Sequence, residues 1–193
     1  MNKIKVVAFG DSLTVGYQSP TIENPFFLET PYVDFIAEKT GKKIEFILKG
    51  ISGELTEEML RRFDRDVISY KPNYVIILGG SNDIGWGIAL EVIADNLFTM
   101  YDLAMKAGII PIAVTVPSIS GNDPLIRPRV VVNNLIINHC ISKNITYIDL
   151  FKASSQPNTL RLEGLYSNDG LHLSTAGYKL LADLLYKDVF EKI

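Results

Sequence analysis

The chain has 193 residues, 47% of them apolar, and its 19 basic side chains against 22 acidic ones leave a net charge of −3. A globule of that length buries roughly 70% of its unfolded surface, and the composition is that of a folded chain rather than a disordered one. The mild acidity argues against a nucleic-acid binder, whose phosphate contacts need clustered Lys and Arg.

In chain order, five short β-branched runs read as strands: Ile4–Phe9, Ile44–Leu48, Tyr74–Leu78, Ile110–Thr115 and Thr146–Leu150. They are apolar throughout instead of alternating, the signature of strands buried on both faces. Amphipathic stretches fall between them. Pro31–Lys39 reads as a helix. Thr56 is placed as the cap of the next, with Glu57 and Glu58 in a first turn that favours acidic residues. Its buried stripe runs Met59, Phe63, Val67. Glu91–Ala107 carries Ile93, Leu97, Tyr101 and Ala104 on one face and stops at Gly108. Val130–Ser142 is a further helical stretch. The last helix runs from Ser174 to the chain end, with Leu180, Leu181, Leu184 and Leu185 facing inward.

Repeated strand–helix–strand units require parallel strands and right-handed crossovers. The expected fold is therefore one three-layer α/β/α domain over residues 1–193, a five-stranded parallel sheet with helices on both faces. The lone cysteine, Cys140, rules out an intrachain disulfide and suits a reducing compartment. The apolar run near the N-terminus ends at Phe9, too short for a secretion signal. No run reaches the ~18 apolar residues of a membrane span. A cytoplasmic location is expected.

In such sheets the ligand lies beyond the carboxyl ends of the strands. The first strand leads into Gly10-Asp11-Ser12-Leu13-Thr14, the second into Gly50-Ile51-Ser52-Gly53, the third into Gly79-Gly80-Ser81-Asn82-Asp83. Asn168-Asp169-Gly170-Leu171-His172 precedes the last helix. Taken singly, Ser12 reads as a turn or cap serine, and Asn82-Asp83 and Asp169-Gly170 as turns. Of the two histidines, His139 lies in the apolar run Leu135–Ile141 and reads as a packed or surface helical residue. On a helix Cys140 beside it points about 100° away, which argues against a Cys–His nucleophile pair. His172 stands three residues after Asp169, across a Gly170 able to take φ > 0. One short loop thus presents a carboxylate to one ring nitrogen and leaves the other free, the base a serine nucleophile needs.

Gly10-Asp11-Ser12-Leu13, Gly53, Gly80-x-Asn82-Asp83 and Asp169-x-x-His172, in that order, resemble the GDSL or SGNH hydrolase superfamily of serine esterases and lipases. The resemblance runs from the first strand to the start of the last helix and implies a flavodoxin-like α/β fold. It implies that Ser12 is the nucleophile, His172 the general base and Asp169 the residue that orients it. It further implies an oxyanion hole made by the backbone N–H groups of Ser12 and Gly53 and the side-chain amide of Asn82. Cofactor and metal are expected to be none. The partner is a small-molecule ester: a short acyl ester, a thioester, a lysophospholipid or an acetylated sugar. One position departs from the pattern. Family members often carry asparagine two residues before the glycine that opens the second block, and here Leu48 stands there, read as the end of a buried strand.

Other chemistries lack their residues. There is no G-x-S-x-G elbow, no HExxH, no G-x-x-x-x-G-K-[ST] and no G-x-G-x-x-G after a strand. A phosphatase using Asp11 would want a second aspartate where Leu13 stands. A non-catalytic flavodoxin-like binding module stays as the alternative; it leaves the Asp169–His172 pair unexplained. Tyr17, Phe26, Phe27 and Trp86 are candidates for an apolar substrate pocket beside Ser12. The competing reading packs Phe26 and Phe27 beneath a long loop. Arg61, Arg62, Arg65 and Asp66 read as the solvated face of their helix. Arg127 and Arg129 read as surface residues, with contact to an anionic head group as the alternative.

Overall fold

The computed structural model describes residues 3–193. Its strands are β1 (Ile4–Gly10), β2 (Tyr17–Gln18), β3 (Leu28–Glu29), β4 (Ile44–Gly50), β5 (Tyr74–Leu78), β6 (Ile110–Val114) and β7 (Thr146–Ile148). Its α-helices are α1 (Ser12–Val15), α2 (Tyr32–Thr40), α3 (Thr56–Asp66), α4 (Ser81–Trp86), α5 (Leu90–Lys106), α6 (Ile126–Lys143), α7 (Leu150–Ser154) and α8 (Thr175–Asp188). Five strands form one parallel sheet in the order β4-β1-β5-β6-β7. Counted along the chain that is 2-1-3-4-5, the flavodoxin-like order, whose switch point lies beside β1. β2 and β3 pair as a small antiparallel hairpin, inside a stretch that carries no strand signal in the sequence.

The period of two along a strand divides the core between two faces. Val6 and Ala8 join Ile76 and Leu78 under α2 and α8, where Tyr32, Ile36, Tyr178, Leu181 and Leu185 are fully buried. Val7 and Phe9 join Val75 and Ile77 under α3, α5 and α6, where Met59, Phe63, Leu97, Tyr101 and Ile136 close the second layer. The stripes expected for α3 and α5 are buried as predicted, Met59, Phe63 and Val67 on one and Ile93, Leu97, Tyr101 and Ala104 on the other. On α8 the inward residues are instead Tyr178, Leu181, Ala182 and Leu185, with Leu180 and Leu184 half-buried.

Four local expectations are corrected. β4 is an edge strand paired only with β1, so Leu48 is 41% exposed and does not end a buried strand. The cap position of α3 belongs to Leu55, whose N–H donates to the Glu58 carboxylate at 2.9 Å, and Thr56 is the first helical residue. Arg62 and Asp66 are buried, although Arg61 and Arg65 beside them are solvated. Arg129 is 1% exposed and no surface residue. Both buried arginines lie on apolar stripes: 59, 62, 63, 66 on α3 and 126, 129, 132, 133, 136 on α6 follow the i, i+3, i+4, i+7 spacing of an inward face. Composition alone hides that spacing.

Candidate active site

β1 ends at Gly10 and turns at once into α1. Asp11 caps that helix: its Oδ1 accepts the Leu13 N–H at 2.9 Å, and the carboxyl is wholly buried. Ser12 follows as the first helical residue, itself buried. Burial raises the Asp11 carboxyl to about 7, against the opposing pull of the Leu13 N–H and the charge of His172. Asp11 Oδ2 has no protein partner. The folded pKa lies above the unfolded value near 4, so the native state keeps a proton that the unfolded chain releases between those two pH values. The stabilisation is complete below about pH 4 and is lost as pH rises through 7. Asp11→Asn keeps the cap oxygen and is expected to flatten this dependence. Melting temperatures at pH 5 and pH 8 check it: an equal drop in wild type and variant would show that Asp11 does not titrate in this way.

The His172 loop is built from Ser167 to Leu173, whose ends pair antiparallel. Gly170 sits at φ +84°, and a Cβ there would lie 2.5 Å from the Ser120 carbonyl oxygen, so glycine is required on two grounds. Asp169 Oδ1 accepts the backbone N–H groups of Leu171 at 2.8 Å and His172 at 2.7 Å. Asp169 Oδ2 lies 2.8 Å from His172 Nδ1 and also accepts the Ser19 hydroxyl. Burial pushes this carboxyl up, but the hydrogen bonds from His172, Ser19 and the two N–H groups outweigh it and hold Asp169 well below the usual carboxylate range. An ionised Asp169 is placed to accept a hydrogen bond from Nδ1–H, the tautomer in which Nε2 is the acceptor. Tyr17 packs its ring edge-on against the imidazole, centroids 4.6 Å apart.

Gly53 and Asn82 stand on the neighbouring strand ends. Ile51 donates its N–H to Gly10 O at 3.0 Å, and Glu54 N–H closes the turn onto Ile51 O at 3.3 Å. Gly53 is the third residue of that turn at φ +82°, a position that favours glycine. Asn82 donates one amide hydrogen to Glu54 O at 2.9 Å, which fixes the side chain and leaves its second hydrogen unspent. Buried Asp83 accepts the Thr56 N–H at 3.1 Å and the Thr56 hydroxyl at 2.6 Å, tying α4 to the start of α3. Arg129 grips the same segment from behind, with donors on Ser81 Oγ, Leu125 O and Pro117 O. Burial lowers its guanidinium to about 10. Ser19 has no place in the sequence reading, Asp83 stands there in the Gly80-x-Asn82-Asp83 block without a role of its own, and Arg129 reads there as a surface residue or an anionic head-group contact.

The four aromatic candidates divide. Tyr17 and Phe27 stack at 6.0 Å on the His172 side. Phe26 and Phe27 are 75% and 59% exposed, so neither packs beneath a loop. Trp86 lies on the Asn82 side and lines a groove of about 400 Å³ with Asn82, Ile119, Asn122, Leu125 and Leu171. His139 lies apart, stacked on Phe98 at 3.8 Å between α5 and α6, and buried Cys140 is pushed up to about 12 by burial.

Against known proteins, the model of the GDSL-like lipase/acylhydrolase family matches residues 8–180. The chain belongs to that family. Among relatives of this GDSL-family protein, the acetylxylan esterase of Geobacillus stearothermophilus is 25% identical over 204 residues, spanning 96% of this chain and 93% of that one. The uncharacterized lipoprotein YqeF of Bacillus subtilis (strain 168) is 32% identical over 124 residues, 61% of this chain, and the match spans about half the length of that lipoprotein. The solved structure of the lipase/acylhydrolase from Enterococcus faecalis superposes with a TM-score of 0.79 at 28% identity, over 98% of this chain and 96% of that one. Among the described residues no helix is long and apolar enough to cross a membrane.

Proposed function

We propose that this GDSL-family protein is a carboxylic ester hydrolase acting through an acyl-enzyme on Ser12. The observation that carries the reading is the Asp169–His172 pair, 2.8 Å between Oδ2 and Nδ1, with its carboxylate anchored by backbone N–H groups. His172 Nε2 takes the Ser12 proton as Oγ attacks the ester carbonyl carbon. The tetrahedral oxygen is met by the Ser12 and Gly53 N–H groups and the unspent hydrogen of Asn82. Collapse breaks the bond to the alcohol oxygen, which leaves with the proton from His172. Water then repeats the attack on the acyl-enzyme and frees the acid and Ser12. No cofactor or metal takes part in this scheme.

The test is hydrolysis of p-nitrophenyl acetate in EDTA, together with fluorophosphonate labelling located by mass spectrometry. Retained activity with the label on Ser12 is the expected result. A folded protein that neither hydrolyses nor labels would instead be a binding module.

For the substrate we propose a small acyl ester. The relative named acetylxylan esterase supports an O-acetylated sugar over a lysophospholipid or thioester as the natural alcohol. The groove walled by Trp86 takes the acyl chain in this reading. Across acetyl, butyryl and octanoyl esters, Trp86→Ala is expected to shift chain-length preference several-fold, since one methylene in an apolar pocket is worth ~1–3 kcal/mol. An unchanged preference removes Trp86 as a pocket wall. The buried, lone Cys140 fits a reducing compartment, and residence in the cytoplasm is part of the proposal.

A further inference from the structure

Three loops carry the donors assigned to the oxyanion; one side chain touches two of them and is linked to the third through Glu54. Arg62, on the buried stripe of α3, is 6% exposed and faces the 7%-exposed Glu54 through a two-pronged pair: Nε to Oε1 at 2.6 Å, and Nη2 to Oε2. Its Nη2 also donates to Gly10 O at 3.1 Å, two residues before Ser12. Its Nη1 donates to Lys49 O at 3.1 Å and to Asp66 Oδ2 at 3.2 Å. The guanidinium plane lies over the Phe9 ring, 4.2 Å from its centroid. Glu54, the partner it grips, follows Gly53 and offers its own carbonyl to the Asn82 amide.

We infer that Arg62, through Glu54, is the positioning residue of the oxyanion hole. The inference rests on the assignment of Ser12, Gly53 and Asn82 as the oxyanion donors. Its physical basis is the shape of the side chain. A planar fork with five donors satisfies a carboxylate and three further acceptors at once, whereas an ammonium group supplies three donors from a single point. A buried ion pair is a weak source of stability, since the desolvation of two charges offsets much of their attraction. One rigid group ties the ends of β1 and β4 and the Glu54 turn together and so holds the backbone on which the Ser12 and Gly53 donors stand. Displacement by about 1 Å costs on the order of 10²-fold in rate.

The test compares wild type with Arg62→Lys and with the neutral double variant Glu54→Gln/Arg62→Met, using p-nitrophenyl acetate kinetics, fluorophosphonate labelling rates and melting curves. Arg62→Lys is expected to lower kcat roughly 10–100-fold with KM within about twofold, and to slow labelling of Ser12 in parallel. The double variant, which leaves no buried charge unpaired, is expected to fold at the assay temperature and still lack the rate. A purely structural role predicts the reverse, recovery of kcat once the charge imbalance is removed. That recovery, or an Arg62→Lys enzyme with kcat within twofold of wild type, overturns the inference. Activity surviving in Ser12→Ala is a separate result, which would overturn the serine mechanism itself.

Discussion

Ser12→Ala and His172→Ala are each expected to lower kcat/KM for p-nitrophenyl acetate by about 10⁴–10⁶-fold. Without Oγ there is no atom to carry the acyl group. Without the imidazole the hydroxyl is barely nucleophilic, because its own pKa lies far above neutrality. The two residues act on one proton, so the double variant is expected to lose no more than either single one. A double loss equal to the product of the single losses would show that they serve different steps. Both positions leave the core layers intact: Ser12 opens α1 just beyond β1, and His172 is only half-buried on its loop. Melting temperatures close to wild type therefore belong to the same expected result. Asp169→Asn tests the orienting carboxylate, because it replaces an ionised acceptor for Nδ1–H by a neutral amide and leaves the loop's length unchanged.

The second large effect is expected at Asn82. Asn82→Ala removes an amide whose first hydrogen is held by Glu54 O at 2.9 Å and whose second is assigned to the oxyanion. Loss of one such donor costs ~2.7–4 kcal/mol of transition-state stabilisation, or about 10²–10³ in kcat. The charge to be stabilised exists only in the transition state, so KM is expected to change little. Steady-state kinetics separate the cases. A variant with raised KM and intact kcat would make Asn82 a substrate-binding residue instead.

Periodicity identified the long elements because their buried faces repeat in sequence. The stripes of α3 and α5 and the two-faced strands β1 and β5 were readable from apolar spacing alone. The short elements were not. α4 spans only Ser81–Trp86 and the β2–β3 hairpin pairs two residues a side, too little for a period to register. Leu48 differs for another reason: apolar strands look alike in sequence, and only pairing shows that β4 lies at the sheet edge. Arginine is mostly exposed, so sequence alone places Arg62 and Arg129 in solvent. Their positions on inward stripes were visible in the spacing. Some of the acceptors that make burial tolerable, Glu54 and Asp66 for Arg62 and Leu125 O for Arg129, lie within eight residues, but Gly10 O and Ser81 Oγ come from other strand ends and are fixed only by the fold.

By itself the sequence determined the alternation of strands and helices, the four motif blocks at the strand ends, and the Asp169–His172 spacing. Each depends on residues within a few positions of one another, where φ/ψ preference, side-chain period and loop length act directly. Only the tertiary structure decided that Asn82 bonds to the Glu54 carbonyl, that Asp83 ties α4 to the start of α3, and that one guanidinium joins the ends of β1 and β4 to the Glu54 turn. Those contacts span from 8 to 52 residues. They form because a parallel sheet brings the carboxyl ends of non-consecutive strands to one edge, where polar groups removed from water must find partners.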